Sequence, residues 1–484
     1  MQFPRKLFLS ACVLSVCTTS APVEAFADWN QWRGSHRDGV ARQSPELMTA
    51  LPEDGLQPVW VSSTIPNGGN GGWGSPVVAD GKVYLFAHSK EKIRELGERK
   101  FPWLPPDKRV GMTDEEYAEY EVNRRDEDEE RAKAFVFREL VYCLDAATGE
   151  EVWTNRSDSV YTRFPQSGSP TVLNGRVYIL GAGRLVRCFD ARTGDEVWSS
   201  RLPGDFRDEY MQSSIVVDGD NVVVMADRLF GLNTADGEIL WEGDPESTKG
   251  THSSPVIWST DTRNYVIINL RGGRTACFDP VDGSELWSVE SGAGHSTPVV
   301  VGNRLLTYGN DRATGVRCYA ITPEGAEELW KYRGIKDKGS SPVVVDGYVY
   351  VQGETRMACV DLESGEAAWS DYLDLSQAQY SSPIAADGKV YYAYGTLTCL
   401  RATPAELQTL YVASFDESHL MGSEETFRRA LNIDEVAENS DEAEKLMQQH
   451  VGRHGTLKCT SPAISDGLLM VRMNNDIVCY DLRG

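Results

Sequence analysis

The chain has 484 residues, of which 41% are hydrophobic, and a formal net charge of -24. So large a negative charge argues against nucleic acid or an anionic lipid surface as the main partner. The length allows either two or three ordinary domains or one fold built from repeats.

The first 27 residues have the features of a secretory signal peptide. Arg5 and Lys6 precede the apolar stretch LFLSACVLSVC, and AFA at 25–27 is typical of a cleavage site. We therefore expect cleavage after Ala27 and an exported mature chain, periplasmic or secreted, that begins at Asp28. The alternative is a lipoprotein, because LSAC at 9–12 resembles a lipobox. No later segment has the ~20 consecutive apolar residues of a transmembrane helix.

Eight copies of one hairpin pattern follow, starting at residues 74, 168, 213, 253, 296, 340, 381 and 460. Each copy, such as GSPVVADGKVYLF, is an apolar strand, a tight turn and a second strand. Phrases such as YCLDAATGEEVW at 142–153 add two more strands, with Asp145 accepting backbone N–H groups and Gly149 supplying a left-handed turn residue. The period of about 41–44 residues predicts an all-β, eight-bladed β-propeller of four-stranded antiparallel blades.

A tryptophan follows the turn glycine in most repeats, and Tyr411 takes its place in the seventh. We expect each indole to lie on the turn of the adjacent blade. The tryptophans are Trp153, Trp198, Trp241, Trp287, Trp330 and Trp369. The eighth repeat lacks an outer strand, and LQPVWVSS at 56–63 is predicted to supply it, with Trp60 in the tryptophan position. The mature chain, 28–484, is then one ring without an open sheet edge.

Two segments interrupt the period, at about 88–137 and 417–455. The first contains a capping box at Thr113 that predicts a helix through Arg131, and the second has helical runs near 424–431 and 440–450. Within an antiparallel blade, both segments leave at the same end, so we expect both at one mouth of the central channel. Function concentrates in such loops on a rigid scaffold.

Seven of the ten cysteines occupy one position of the repeat, just before the turn. Equivalent positions of successive blades are too far apart for a disulfide, so these are interpreted as small buried hydrophobic residues. Cys459 is the exception, because it lies just before an innermost strand. It is interpreted as a buried, inert thiol, with a reactive thiol as the alternative.

These repeats resemble the PQQ-like β-propeller family, which includes quinoprotein alcohol dehydrogenases and the outer-membrane-protein assembly factor BamB. The Asp, Thr, Gly and Trp of the pattern A-x-D-x-x-T-G-x-x-x-W are all present in 145–153 and in 190–198, and they are present in part around Asp279 and Asp361. The opening DWNQWRGSHRDGV at 28–40 also resembles exported members of this group. The resemblance implies the fold; the dehydrogenases' Glu, Asn and Asp calcium ligands and vicinal cysteine pair cannot be matched to positions here.

Residues that precede each innermost strand, together with loop residues beside them, are the candidates for a binding site at the channel mouth. These candidates are Trp73, Gln212, His252, His295, Arg228, Arg271, Arg274, Glu354, Tyr380 and Asp476. His252 and His295 fall in neighbouring blades and are weak candidates for metal ligands, since a third ligand is not evident. Arg271 and Arg274 flank two glycines, a pattern suited to an anion or to an exposed hairpin tip. Catalytic residues are not identified.

The leading hypothesis is an exported, non-catalytic binding module for a protein or an extracellular polymer at the face that carries both insertions, with no cofactor assigned. The alternative is a PQQ- and Ca²⁺-dependent dehydrogenase of alcohols or sugars. Its quinone would stack on Trp73 or Tyr380, with arginines on the carboxylates. A carbohydrate-binding propeller is a third possibility.

Overall fold

The strands form eight sheets, the four-stranded blades of a β-propeller, and two short strands extend the sheet of blade 7 to six. This computed structural model describes residues 29–165, 167–204, 211–250, 252–373 and 379–484. Neighbouring strands within a blade pair antiparallel, and the innermost strand comes first in the sequence. The predicted all-β class and the number of blades are confirmed. The predicted signal peptide lies outside the described residues.

The first seven blades each use four consecutive stretches of chain. Blade 1 contains Val77–Ala79, Lys82–Lys92, Phe135–Asp145 and Glu151–Asp158, and blade 2 contains Thr171–Leu173, Arg176–Gly181, Leu185–Asp190 and Glu196–Arg201. Blade 3 contains Val216–Asp218, Asn221–Met225, Leu229–Asn233 and Ile239–Glu242, and blade 4 contains Val256–Ser259, Asn264–Leu270, Arg274–Phe278 and Glu285–Glu290. Blade 5 contains Val299–Val301, Arg304–Tyr308, Val316–Thr322 and Gly325–Tyr332, and blade 6 contains Val343–Val345, Tyr348–Gly353, Arg356–Asp361 and Ala367–Tyr372. Blade 7 contains Ile384–Ala386, Lys389–Tyr394, Thr396–Arg401 and Gln408–Phe415.

Blade 8 combines both ends of the described chain. Its three inner strands are Ala463–Ser465, Leu468–Arg472 and Ile477–Asp481. The outer strand is Trp60–Val61, which pairs antiparallel with Ile477–Asp481. Trp60 lies opposite Cys479. The predicted closure of the ring by the N-terminal strand is therefore confirmed.

Tryptophan side chains join neighbouring blades at seven of the eight boundaries, and Tyr411 occupies the equivalent position in blade 7. Each indole N–H donates to a backbone carbonyl in the turn of the following blade at 2.8–3.0 Å, the pairs being Trp60 and Ala146, Trp153 and Ala191, Trp198 and Thr234, Trp241 and Pro280, Trp287 and Thr322, Trp330 and Leu362, and Trp369 and Thr403. The ring of Trp60 lies so close to Gly149 that a Cβ there would be 2.5 Å from it. Gly149 also has a φ of 71°, a left-handed conformation that favours glycine. The close contact with Trp60 and this backbone conformation therefore both require glycine at this position.

Hydroxyl groups, which we call the hydroxyl ring, join the innermost strands at seven of the eight blade boundaries around the channel. The backbone N–H of a Ser or Thr in one blade donates to the side-chain oxygen of the equivalent residue in the next. The pairs, at 2.9–3.0 Å, are Ser75 and Ser169, Ser169 and Ser214, Ser214 and Ser254, Ser254 and Thr297, Thr297 and Ser341, Ser341 and Ser382, and Ser461 and Ser75. The recurring Ser or Thr, which precedes proline in every blade except blade 3, thus forms an inter-blade contact, a role that the repeat pattern alone did not reveal.

The segment 29–41 lies against the innermost strands of several blades. The guanidinium of Arg37 donates to the carbonyls of Ser214, Ile215 and Pro255 at 2.6–3.0 Å, and that of Arg33 donates to Pro342 at 2.5 Å. Strand Val40–Ala41 then pairs parallel with Ile384–Ala386 of blade 7. We call residues 29–41 the plug.

The two insertions are partly helical, as predicted. Both strands that flank the first extend farther than expected, to Lys92 and from Phe135, so the insertion itself spans 93–134. Its helix Asp114–Ala132 begins with the predicted capping box, in which Thr113 Oγ1 accepts from the N–H of Glu116 at 3.2 Å. The second insertion contains Glu424–Ala430, Ile433–Val436 and Ser440–His450, and a short strand, Met421–Gly422, pairs with the outer strand of blade 7.

Short helical turns complete the secondary structure: Gly68–Gly71, with 3₁₀ turns at Pro106–Arg109 and Ala182–Arg184. Across the described ranges, no helix is both long and apolar enough to cross a bilayer. The eight cysteines of the described chain are free thiols, and all except Cys459 are buried.

Candidate functional site at the channel mouth

The first insertion extends over the mouth of the channel. Arg125, on the helix Asp114–Ala132, lines a cavity of about 1000 Å³ together with His252 and His295. The second insertion forms another cavity, of about 1020 Å³, with Trp73 of the segment that enters blade 1. Both insertions therefore lie on the face where the chain enters the innermost strands, which we call the insertion face.

His252 and His295 come together as the repeat spacing suggested. Their rings are stacked with centroids 4.3 Å apart and planes inclined by 13°. Tyr380 continues this column at 6.4 Å from His295. Burial, and to a lesser degree the neighbouring imidazole, lowers the pKa of His252 to about 4, and burial together with Lys338 lowers the pKa of His295. Both imidazoles are therefore neutral at pH 7 and present ring faces and nitrogen atoms to the cavity.

Asp337 is a buried carboxylate at the mouth that the sequence analysis did not single out. Its Oδ1 accepts the backbone N–H groups of Gly339, Ser340 and Tyr380 at 2.8, 2.6 and 3.2 Å. Burial raises its pKa despite these bonds. The carboxylate thus fixes the turn that enters blade 6 and ties it to Tyr380, which precedes blade 7. Its place two residues before the GSSP phrase was the signal that could have identified it.

The two arginines around Gly272 and Gly273 do not act as a pair. Arg271 is exposed and lines the mouth cavity, where Lys249 adds a second positive charge. Arg274 instead forms two bonds with Glu285, at 2.8 and 2.9 Å, within its own blade. An anion at this loop would therefore meet Arg271 rather than a two-arginine clamp.

The other charged candidates are engaged with neighbours. Arg228 bonds to Asp227 and Glu242, Glu354 accepts from Arg312 at 2.7 Å, and Asp476 lies 3.2 Å from His419. Burial raises the pKa of Asp476. These side chains stabilise loops around the mouth, and the structure does not bring them together with the His252–His295 column.

The remaining candidates are spread around the rim. Trp73 faces the second insertion, Gln212 is half-buried, and Cys459 donates its backbone N–H to Ser381 at 3.0 Å. Burial raises the pKa of the Cys459 thiol to about 11. A thiol with so high a pKa is a poor nucleophile at neutral pH, in keeping with the inert interpretation.

The described residues do not fit a resident metal ion or a calcium-bound quinone. Among them, no group of three or more His, Cys, Asp or Glu side chains is placed to hold a metal. The acidic residues of the mouth already have partners: Asp227 bonds to Arg184 at 2.8 Å, Glu354 bonds to Arg312, and Asp337 accepts three backbone N–H groups. We therefore assign no ligand set for PQQ or Ca²⁺.

The repeats, the tryptophan contacts and the ring closure together define a PQQ-like β-propeller. A family model described as outer membrane protein assembly factor BamB matches residues 137–310 and 271–407, more than half of the chain. The chain belongs to this family.

Two curated relatives carry the same description. BamB of Alkalilimnicola ehrlichii is 28% identical over 39% of this chain and 51% of its own length. BamB of Moranella endobia is 25% identical over 48% of this chain and 52% of its own length. The chain thus spans about half the length of the curated relatives that it matches.

Among solved structures, quinohemoprotein alcohol dehydrogenase from Comamonas testosteroni superposes with a TM-score of 0.54. The match covers 95% of this chain and 81% of that protein at 12% identity. At this identity the match concerns the fold alone.

Proposed function

We propose that the protein is an exported, non-catalytic propeller that binds another protein on its insertion face. Its place would be the periplasm, where it would take part in assembling outer-membrane proteins, as the name of its curated relatives suggests. The observation that carries the proposal is the asymmetry of the ring. The two helical insertions lie on one face, whereas the plug binds the innermost strands with Arg33 and Arg37.

Exposed apolar side chains on the insertions support a protein as partner. Val110 is 84% exposed, Val122 is 48% exposed, and Trp103 and Val436 are also exposed. Apolar residues in an otherwise polar surface are typical of protein interaction sites. Their positions on loops that leave a rigid ring suit a docking role better than a role in folding of the blades.

The charge of the first insertion narrows the kind of partner. The helix Asp114–Ala132 has ten acidic and three basic residues. A partner with a basic surface around an apolar patch complements this helix, and its association would weaken as ionic strength rises. A polyanionic polymer is disfavoured for the same reason.

Site-specific photo-crosslinking in cells tests the proposal. A photoreactive phenylalanine derivative at Val122 or Val436 on the insertion face is expected to capture a defined protein. The matched control is Val281, which is 65% exposed in a turn at the other end of blade 4. Adducts from Val281 alone, or equal adducts from all three positions, would contradict the proposal.

An absorbance spectrum and a calcium titration of the isolated protein distinguish the scaffold from a quinoprotein. The scaffold is expected to lack a quinone absorption band after incubation with PQQ and Ca²⁺ and to oxidise neither alcohols nor sugars. A stoichiometric quinone band, or dye-linked oxidation, would instead establish the dehydrogenase.

A further inference from the structure

A third cavity lies beneath the first insertion, apart from the channel mouth. It has a volume of about 490 Å³, within the range of small-molecule sites. Its walls are the helix Asp114–Ala132, the extended ends of strands Lys82–Lys92 and Phe135–Asp145, and the link 160–165 between blades 1 and 2. The unusual length of these two strands therefore builds the cavity.

Aromatic rings form the apolar part of the lining: Trp103, Phe135, Phe137, Tyr161 and Phe164. Phe137 is central among them, with ring centroids 6.2 Å from Phe135 and 5.9 Å from Tyr161. Burial raises the pKa of Tyr161 to about 12, so its phenol stays neutral. A planar apolar group could stack within such a lining.

The charged part of the lining is positive, although the chain as a whole is strongly acidic. It contains Lys90, Arg99, Arg124, Arg131 and Arg163 against the single carboxylate of Asp128. Asp128 is shared by Arg99 at 2.6 Å and Arg124 at 3.4 Å. Outside the lining, Glu121 bonds to Arg124 and lies 3.9 Å from Arg163, and Glu127 lies 4.0 Å from Arg131. Five cations facing these two carboxylates and Asp128 still leave an excess of positive charge.

Lys90 is the cation with the least compensation. Its ammonium lies 4.2 Å from the centroid of the Phe135 ring, and within the described chain it forms no salt bridge. Partial burial, and then the charge of Arg99, lowers the pKa of Lys90, although the residue remains exposed to solvent. An anion placed beside it would offset both effects.

His88 adds a buried polar group to the same wall. It is 7% exposed, and neither ring nitrogen has a hydrogen-bond partner among the described residues. Its Nε2 lies 3.7 Å from Glu139, whose carboxylate already accepts the N–H of Ala182 at 2.5 Å. Because His88 and Lys90 are two residues apart on one strand, their side chains share a face, and both line the cavity. A buried polar group without a partner is costly unless a ligand satisfies it.

We propose that this cavity binds a small organic anion that carries an aromatic ring. The ring lies against Phe137 and Tyr161, and the anionic group accepts hydrogen bonds from Lys90 and from an imidazole N–H of His88. The site shares Trp103 with the exposed apolar residues of the insertion-face contact proposed above, but the contacts with Lys90, His88 and Phe137 do not depend on that contact.

Binding of three naphthalene compounds that differ in charge tests the site. Calorimetry on the isolated full-length protein would compare 1-naphthoate, neutral 1-naphthylmethanol and cationic 1-naphthylmethylamine. We expect 1-naphthoate to bind at least about tenfold more tightly than the alcohol, and the amine not to bind, since hydrogen bonds between ionised groups contribute more than neutral ones.

Two variants and a matched control locate the binding. Lys90→Met and Phe137→Ala should each weaken 1-naphthoate binding about tenfold or more. Lys445→Met, at an exposed lysine of the second insertion, should leave it unchanged. Because Lys90 is exposed, its substitution leaves the blades intact. The proposal is overturned if 1-naphthoate does not bind, if the alcohol binds equally well, or if Lys90→Met binds as tightly as the original protein.

Discussion

The indole N–H of Trp60 donates a 2.9 Å hydrogen bond to the carbonyl of Ala146, so the N-terminal strand that completes blade 8 also holds the turn of blade 1. The Trp60 residue thus contributes both to the sheet of blade 8 and to the contact between blade 8 and blade 1. The closure is consequently the contact whose loss should affect the whole propeller.

Replacing this tryptophan should destabilise the protein strongly. Trp60 is buried, and Trp→Ala substitutions at buried positions cost about 3–5 kcal/mol. Trp60→Ala should therefore lower the free energy of unfolding by about that amount, measured by denaturant titration. Val59→Ala is the matched control, because Val59 is next to Trp60 in the sequence and is 49% exposed. This variant should change the free energy of unfolding by less than about 0.5 kcal/mol.

The hydroxyl ring predicts different outcomes for two substitutions of one serine. Ser214→Ala removes the acceptor of the Ser169 N–H and leaves a buried donor unpaired, at a cost of about 1–3 kcal/mol. Ser214→Thr keeps the hydroxyl, as Thr297 does in blade 5, where it accepts from Ser254. Equilibrium unfolding should show the alanine variant as the less stable. Equal losses in both variants would mean that the hydroxyl group is not what joins these strands.

Arg37 should be essential to the plug. Its side chain is fully buried, and burial lowers its pKa to about 9. Arg37→Met removes the guanidinium donor of the carbonyls of Ser214, Ile215 and Pro255, of which Ile215 still accepts from the Thr171 hydroxyl. The loss should cost at least about 2 kcal/mol and speed proteolysis within 29–41. The exposed Arg401, substituted in the same way, is the control. Similar proteolysis of both variants would show that Arg37 does not hold the plug.

The histidine column should respond to acid. The folded state holds the pKa of His252 near 4, whereas an unfolded histidine has a pKa of about 6.5. The unfolded chain therefore takes up a proton first, and the stability that the neutral imidazole contributes is present above about pH 6.5 and lost between 6.5 and 4. NMR of the imidazole nitrogens should find His252 neutral at pH 5. His252→Gln should flatten the fall of unfolding free energy over this interval; an unchanged slope would contradict the assigned pKa.

The fold could be predicted from sequence because the same pattern of strands and turns occurs eight times. Turn glycines such as Gly149 and docking residues such as Trp153 recur at fixed spacing, so strand order and closure followed. The plug escaped prediction because Arg33 and Arg37 belong to no repeat and contact strands far away in sequence. The mouth was predicted only in part. Repeat alignment brought His252 and His295 together, but the partners of Arg274 and Glu354 depend on side-chain directions that no spacing encodes.

The most direct test of the insertion face as a docking surface is removal of the first insertion. Lys92 and Phe135 pair across the end of their strands, so residues 93–134 can be replaced by an Asn-Gly turn without altering blade 1. The quantity to measure is the yield of the protein captured through a photoreactive residue at Val436. We predict that this yield falls at least tenfold while the thermal unfolding midpoint of the ring stays within a few degrees. An undiminished yield from a folded variant would contradict the account.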